Sequence, residues 1–256
     1  MIRAVRMIQR NALVYRRAWR GSFFSSFLQP TLFLIAIGMG LGALVDHGAT
    51  PLPGGIDFLH FLAPGLLAAA AMQTASFESS YPIAGKMTWQ RNYEAISATP
   101  MRVVDLVIGE LAWMAVRQAM VAIAFTTVII AFRIPRSPLV LLAIPAAVLT
   151  GLAFSAPIMA FAATLKSSGN FNVLFRFGIT PLFLFSGTFF PITRLPRVLQ
   201  RAAWLTPLFH GVELVRGMTL NTLESPAWGI HVAYLIGMLI SGICAALWTF
   251  RRKLRA

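Results

Sequence analysis

The sequence of 256 residues has few charged side chains: they make up 12% of it, and 8 residues are acidic. A soluble domain carries about 25% charged residues. Apolar residues make up 57% of this sequence, which exceeds the roughly 45–50% found in soluble domains. The composition excludes a disordered chain, because disorder requires low hydrophobicity, and it favours a membrane protein.

Cysteine and the familiar catalytic motifs are also nearly or wholly missing. The single cysteine excludes a disulfide framework and a cysteine-based metal cluster within one chain. The sequence lacks H-E-x-x-H, G-x-S-x-G and a complete phosphate-binding G-x-x-x-x-G-K-[ST]. Gly85-Lys86 is the nearest match to the last motif, but Met87 follows the lysine. We therefore predict no catalytic residue, no metal site and no cofactor bound by this chain, which is not an enzyme by itself.

Long apolar runs are what the sequence has in abundance. A helix that crosses a bilayer needs about 20 mostly apolar residues, and lipid offers the backbone no hydrogen-bond partners outside the helix. The sequence therefore predicts an all-α membrane protein with a single transmembrane domain. Six transmembrane helices are predicted, at residues 21–45, 58–81, 106–132, 137–165, 171–190 and 225–250.

Basic residues are concentrated at the two termini and between the second and third predicted spans. The positive-inside rule then places both termini in the cytoplasm, with the chain in the inner or plasma membrane of a cell. The net charge of +14 is explained by this orientation and by anionic lipid. A nucleic-acid partner is not needed to account for it.

Two segments next to the predicted spans have an amphipathic or unusually apolar pattern. Residues 1–20 alternate basic and apolar positions at helical spacing, which predicts a helix lying on the cytoplasmic face; the alternative is a basic leader that only sets topology. Residues 191–224 would form an outer loop but are strongly apolar. We predict a re-entrant hairpin that prolines divide into short helices; the alternative is a flap resting on the headgroups. The candidate outer-gate residues are Phe189, Phe190, Pro191, Leu195, Pro196 and Pro207.

Charges and aromatic rings inside the predicted spans indicate a substrate path. Glu110 and Arg117 are seven residues apart and lie near one helix face, and intramembrane charges usually face a bundle interior and have a partner. They either line a polar path or form a structural pair, in which Arg117 binds Glu110 or Glu78. Phe183 and Phe185 either line an apolar path or belong to an aromatic belt or the core.

Several segments resemble the permease subunits of type-2 ABC exporters. The first is the stretch from Trp89 to Pro100, followed by Asp105-Leu106-Val107-Ile108-Gly109-Glu110. The others are the stretch from Leu184 to Pro191, then Leu205-Thr206-Pro207-Leu208 and Val215-Arg216-Gly217. Their order and spacing are similar over nearly the whole chain, most of all to permeases of the nodulation lipo-oligosaccharide and daunorubicin-resistance types.

This resemblance implies partners and roles that the residues alone do not establish. Two six-span permeases, identical or sister chains, pair above two cytoplasmic ATPase subunits, which bind ATP and Mg. A loop at residues 83–105 contacts the ATPase through a short helix at residues 90–98; the alternative is an ordinary solvated loop. The implied coupling residues are Gln90, Arg91, Tyr93, Glu94, Ile96, Thr99 and Pro100.

The function that follows is export driven by ATP. The resemblance implies that the chain moves an amphipathic substrate, such as a lipid-linked saccharide, a glycolipid or a hydrophobic drug, out of the cytoplasm or the inner leaflet of a bacterial membrane. The alternative is a secondary transporter driven by an ion gradient, with Glu110, Arg117 and Arg176 as coupling residues. The absence of an evident internal repeat weakens that alternative.

Overall fold

The computed structural model of the protein describes residues 2–17, 28, 31–42, 55–90, 92–93, 100–165, 170–223 and 227–255. All regular structure within these ranges is helical, and no strand occurs in them. The prediction of an all-α fold is therefore confirmed for this part of the chain.

The helices differ greatly in length. They are α1 (Ile2–Tyr15), the π-helical segment α2 (Leu34–Leu41), α3 (Phe58–Thr88), α4 (Val103–Ala131), α5 (Ala143–Thr164, after a 3-10 turn at Pro138–Leu142), α6 (170–185), α7 (Arg197–Trp204), α8 (Pro207–Leu220) and α9 (Ala227–Arg255).

Four helices of the described residues are long and apolar enough to cross a membrane: α3, α4, α5 with its preceding turn, and α9. They correspond to the second, third, fourth and sixth predicted spans. Helix α3 continues to Thr88 and α4 begins at Val103, so the connection between them is shorter than the predicted loop 83–105. Of the predicted first span, 21–45, the structure describes only residues 28 and 31–42.

Helix α5 is the centre of the bundle and contacts α3, α4, α8 and α9. It carries no charged residue, and its buried positions are mostly small, which allows close approach of its neighbours. A Cβ atom on Gly242 of α9 would lie 2.5 Å from Cδ of Pro157 in α5. Glycine at this position is therefore required for the contact between α9 and α5.

A glutamine of α4 bridges the backbone of α3 near the middle of the bundle. With its amide oriented to satisfy both groups, Gln118 donates to the Ala71 carbonyl at 3.0 Å and accepts from the Ala75 N–H at 3.1 Å. Gly151 of α5 leaves room for it, since a Cβ atom there would lie 2.5 Å from the amide carbon. The buried amide is thus satisfied, as the low polarity of the interior demands.

Helix α6 contains a π-helical segment at Leu174–Ile179, and proline explains its position. Pro181 has no N–H group and therefore cannot continue the regular ladder of hydrogen bonds. Both the backbone N–H and the hydroxyl of Thr180 instead bind the carbonyl of Phe175. Helix α6 therefore has a π-helical turn in its middle, which is wider than an α-helical turn.

Residues 186–223 form short helices that begin at prolines, as predicted. Pro191 precedes a 3-10 turn, Pro196 precedes α7, and Pro207 is the first residue of α8. The hydroxyl of Thr206 caps α8 by accepting from the N–H of Phe209 at 3.3 Å. The chain leaves α8 through Asn221 in the left-handed conformation. Helix α8 is largely buried and packs against α3, α5 and α9.

Candidate functional site

Four polar side chains form a buried cluster where α3 ends and α4 begins, named here the Glu110 cluster: Asn11, Lys86, Tyr93 and Glu110. The ammonium group of Lys86 donates to both carboxylate oxygens of Glu110 at 2.8 Å. The amide of Asn11 donates to Oε2 of Glu110 at 3.1 Å, and the hydroxyl of Tyr93 donates to Oε1 at 3.0 Å. Lys86 also donates to Oδ1 of Asn11 at 3.3 Å.

The Glu110 cluster joins segments that are far apart in the sequence. Asn11 belongs to α1, Lys86 to the last turn of α3, and Glu110 to the second turn of α4. Tyr93 follows α3 and lies with its ring 5.7 Å from that of Phe250 in α9. Glu110 is 1% exposed and Tyr93 is 0% exposed. Through these contacts the connection between α3 and α4 is joined to α1, α4 and α9.

Burial keeps the Tyr93 hydroxyl protonated. It raises the pKa of Tyr93 well above its ordinary value, and the carboxylate of Glu110 raises this pKa further, since a second negative charge beside it is unfavourable. Tyr93 is therefore a hydrogen-bond donor to Glu110. The carboxylate has a cation and two neutral donors around it, which is the environment that a buried charge requires.

A second ion pair lies further along α4. Nε of Arg117 donates to Oε1 of Glu78 at 3.1 Å, and Nη2 lies 3.1 Å from the same oxygen. The same guanidinium lies 4.3 Å above the ring of Tyr15, whose ring also contacts that of Trp113. Arg117 thus pairs with Glu78, one of the two predicted partners, and does not pair with Glu110.

Helix α1 covers both ion pairs, and this explains which side of it is buried. Met7 and Asn11 of α1 are buried, and Glu110 and Lys86 offer Asn11 hydrogen-bond partners inside the protein. Glu110 and Arg117 were predicted as candidate path residues, but neither lines the cavity between α3 and α6.

An open cavity of about 370 Å³ lies between α3 and α6. Among the residues that the structure describes, its lining is mostly aromatic or aliphatic, with one amide, one hydroxyl and no charged group. Phe183, a predicted path residue, lines it, whereas Phe185 is exposed elsewhere on α6. The lining residues are Gln73, Phe77, Phe175, Ile179, Thr180 and Phe183.

A buried arginine ties α8 to its neighbours at the opposite end of the bundle. Arg216 donates to the carbonyls of Phe61 at 3.3 Å and Gly187 at 2.7 Å, and to Glu213 at 3.0 Å. Its guanidinium carbon lies 3.9 Å from the ring centre of Phe61. A Cβ atom on Gly65 would lie 3.1 Å from Nη2 of Arg216. This one buried side chain therefore connects α8, α3 and the turn that follows α6.

The predicted gate residues lie at this same end. The ring of Phe189 is 4.9 Å from that of Phe183, so the predicted gate and the cavity are in contact. Phe189 also lies 6.4 Å from Phe33, just before α2. Of the other predicted gate residues, the buried ones are Pro191 and Pro207, the half-buried ones are Phe190 and Leu195, and the exposed one is Pro196.

The predicted coupling residues are only partly described by the structure. Gln90 and Pro100 are exposed. Tyr93, another of them, is buried, because Glu110 provides an acceptor for its hydroxyl inside the protein. The predicted coupling residues outside the described part are Arg91, Glu94, Ile96 and Thr99.

Sequence reasoning missed the roles of four residues in these sites. Lys86 was available as a partner for Glu110, since it is a rare lysine in an apolar surrounding. The pair Glu213 and Arg216, one turn apart in an apolar segment, was a comparable signal for the contacts of α8. Nothing in the pattern of α1 distinguished Asn11. Across the described ranges, no group of three or more histidine, cysteine, aspartate or glutamate side chains is arranged to hold a metal ion.

Long apolar helices with paired charges between them define this protein as an integral membrane protein of the helical-bundle class. The chain belongs to the ABC-2 type transporter family, which matches residues 4–220. The resemblance to type-2 ABC permeases is thereby confirmed, and the chain is the membrane subunit of an ABC transporter.

Relatives of known name agree with this family. Nodulation protein J of Rhizobium leguminosarum bv. trifolii is 35% identical over 213 residues, covering 83% of this chain and 79% of the relative. Nodulation protein J of Sinorhizobium fredii is 30% identical over 248 residues, covering 96% and 92%. Inner membrane transport permease YadH of Escherichia coli is 23% identical over 250 residues, covering 94% and 93%.

Proposed function

We propose that this chain is the permease of an ATP-driven exporter, and that a separate cytoplasmic ATPase, which binds ATP and Mg, drives it through the Glu110 cluster. The observation that carries the proposal is the hydrogen bonding of Glu110 to Asn11, Lys86 and Tyr93. A push on the segment after α3 reaches α1 and α4 through contacts of about 3 Å in a buried site.

The topology proposed for this role has six spans, with both termini in the cytoplasm. Helix α1 is the interfacial helix, the predicted segment 21–45 and α6 complete the set of spans, and residues 191–224 form a re-entrant hairpin at the outer face. The basic residues near the termini support this orientation. The burial of α8 against α3 and α5 supports a hairpin that enters the bundle.

The proposed substrate is amphipathic, such as a lipid-linked saccharide, a glycolipid or a hydrophobic drug, and it passes along the cavity between α3 and α6. Aromatic rings there suit an acyl chain or a flat apolar ring, because they offer large apolar surfaces. Gln73 and Thr180 supply an amide and a hydroxyl for polar groups. The relatives come from bacteria, and one of them is named an inner membrane transport permease. A second permease, identical or sister, closes the open side of the path.

Glu110 is poorly suited to carry protons, as the alternative of an ion-driven transporter requires. Its carboxylate is paired with Lys86 and receives two further hydrogen bonds. A proton added there would leave the ammonium group of Lys86 without its counter-ion in a buried site. The ATP-driven mechanism places no such demand on Glu110.

Co-purification tests the partner directly. The tagged permease is co-expressed with a candidate P-loop ATPase from the same genome and isolated in mild detergent, and the mass of the complex is measured. We expect equal amounts of the two chains, with a mass equal to two permeases and two ATPases. Recovery of the permease alone would contradict the proposal.

A matched pair of variants tests the coupling segment in the same experiment. Replacing Arg91 and Glu94 by alanine removes both charges of the predicted coupling helix and should strongly reduce ATPase recovery, since interfaces depend on a few anchors. Lys253→Ala, at the exposed end of α9, should leave recovery unchanged. Equal recovery from both variants would exclude residues 90–98 as the coupling helix.

A further inference from the structure

Two histidines form a buried contact between α8 and α9. Nδ1 of His210 lies 2.7 Å from Nδ1 of His231, and the two residues are 1% and 8% exposed. At this distance, one of the two nitrogen atoms carries a hydrogen and the other accepts it. None of the features used so far for coupling, for the substrate path or for the contacts of Arg216 involves this pair.

The hydrogen positions follow from a third contact. Nε2 of His210 lies 2.9 Å from the carbonyl oxygen of Trp204. Because a carbonyl oxygen only accepts, Nε2 of His210 carries a hydrogen. When His210 is neutral, its Nδ1 is therefore the acceptor, and Nδ1 of His231 is the donor.

The surroundings of the pair are mainly aromatic. The ring of Tyr234 stacks on His210 with the ring centres 4.0 Å apart. The hydroxyl of Tyr234 donates to the carbonyl of Leu205 at 2.5 Å, which ties α9 to the turn before α8. Trp204 and Phe209 complete the aromatic surface around the two imidazoles.

Few charged groups face the pair. Glu213, one turn along α8, acts electrostatically on His231, and Arg216 binds the Glu213 carboxylate. Helix α7 carries Arg197 and Arg201, both of which are exposed. Helix α5, which packs against both α8 and α9, has no ionisable side chain between residues 143 and 164. If both imidazoles were protonated, their two positive charges would thus face the carboxylate of Glu213, which Arg216 already binds.

We propose that His210 and His231 are a proton-operated latch, which joins α8 to α9 until both imidazoles are protonated and then releases them. One added proton preserves the contact, because an imidazolium still donates to a neutral imidazole. A second proton puts N–H groups on both facing nitrogens, so the hydrogen bond is lost and like charges repel. The latch is independent of the proposed export function.

Hydrogen exchange in lipid nanodiscs tests the latch without ATPase or substrate. Exchange of backbone amides in α8 and in the first turns of α9 is measured at about pH 8 and about pH 5 and corrected for intrinsic rates. In the wild-type chain, protection of these segments should fall about tenfold at the lower pH, as expected for loss of one hydrogen bond. Unchanged protection would overturn the proposal.

His231→Asn is the critical variant, because its amide can donate to a neutral His210 through nitrogen or accept from a protonated His210 through oxygen, and it does not itself titrate. Protection in this variant should be the same at both pH values. His60→Gln, which removes a histidine of α3 outside the pair, should behave as wild type does. Loss of the pH effect in His60→Gln, or its persistence in His231→Asn, would overturn the latch.

Imidazole nitrogen NMR of the wild-type chain provides a second measurement if His231→Asn does not fold. The pair should take up its two protons in separate steps, the second at a lower pH than the first. Uptake of both protons in a single step would overturn the proposal. A negative result in either measurement leaves ATPase co-purification unaffected, so the latch and the proposed function fail separately.

Discussion

The ammonium group of Lys86 at the end of α3 lies 2.8 Å from both carboxylate oxygens of Glu110 in α4, and the carboxylate is almost completely buried. This pair, rather than a pair between Glu110 and Arg117, satisfies the charge inside the third predicted span. The pair also connects the end of α3, next to the segment on which the ATPase is proposed to act, with α4.

Removal of one partner of this pair should be much more damaging than removal of both. Lys86→Met leaves a buried carboxylate without a counter-ion and should lower the free energy of unfolding by about 3–5 kcal/mol, whereas an apolar replacement of both residues is often tolerated. The double variant Lys86→Met with Glu110→Met should therefore recover most of the loss. Thermal unfolding in detergent measures the difference.

The exposed Lys253 supplies the control for that experiment. Lys253→Met should unfold at the wild-type temperature. If the double variant loses as much free energy of unfolding as the two single variants together, the ion pair is not the reason for the loss.

Tyr93 should make stability depend on pH in the alkaline range. Because its pKa is raised in the folded chain, the stability it contributes is complete below its ordinary pKa of about 10. This contribution decreases as the pH rises from there through the folded-state pKa. Tyr93→Phe should be less stable at neutral pH, and the gap to wild type should narrow above about pH 10. If the difference in free energy of unfolding between wild type and Tyr93→Phe stayed constant from about pH 8 to about pH 11, this assignment would be contradicted.

Two glycines should respond oppositely to alanine. A Cβ atom on Gly211 of α8 would collide with the side chain of Thr150 in α5, whereas one on Gly237 of α9 meets nothing within 4 Å. Gly211→Ala should therefore destabilise the protein, and Thr150→Ala should partly restore it. Gly237→Ala should be neutral or stabilising by up to about 1 kcal/mol, since alanine favours helices. Equal effects at the two sites would contradict the packing of α8 on α5.

Filling the cavity between α3 and α6 should block transport. Ile179→Trp places a large ring among the lining residues, whereas Phe177→Trp changes a neighbouring residue that is 73% exposed and does not line the cavity. Uptake of a fluorescently labelled acylated oligosaccharide into inverted vesicles measures the effect. We expect a large loss with Ile179→Trp and little change with Phe177→Trp. Equal uptake by the two variants would remove the cavity from the path.

The elements that follow from local patterns were predictable. Long apolar runs located α3, α4, α5 and α9, because burying a backbone in lipid requires long helices. The prolines of residues 191–207 located the starts of short helices, since proline lacks an N–H group and is favourable only in the first turn.

The polar contacts between elements were not predictable to the same degree. Asn11 and Glu110 are 99 residues apart, and no periodicity relates α1 to α4. The histidine pair likewise depends on how α8 packs against α9. Tertiary packing determines which residues become partners. A buried charge is tolerated only where several polar groups that are distant in the sequence converge on it.

The number of substrate molecules exported per ATP hydrolysed tests the central claim most directly. It is measured for the ATPase complex in proteoliposomes with the labelled oligosaccharide, comparing Glu110→Gln with Glu78→Gln, the same change in the second ion pair beneath α1. The account predicts that Glu110→Gln lowers this ratio severalfold and that Glu78→Gln lowers it much less. Equal ratios in wild type and Glu110→Gln, with intact complexes, would contradict a coupling role for the Glu110 cluster.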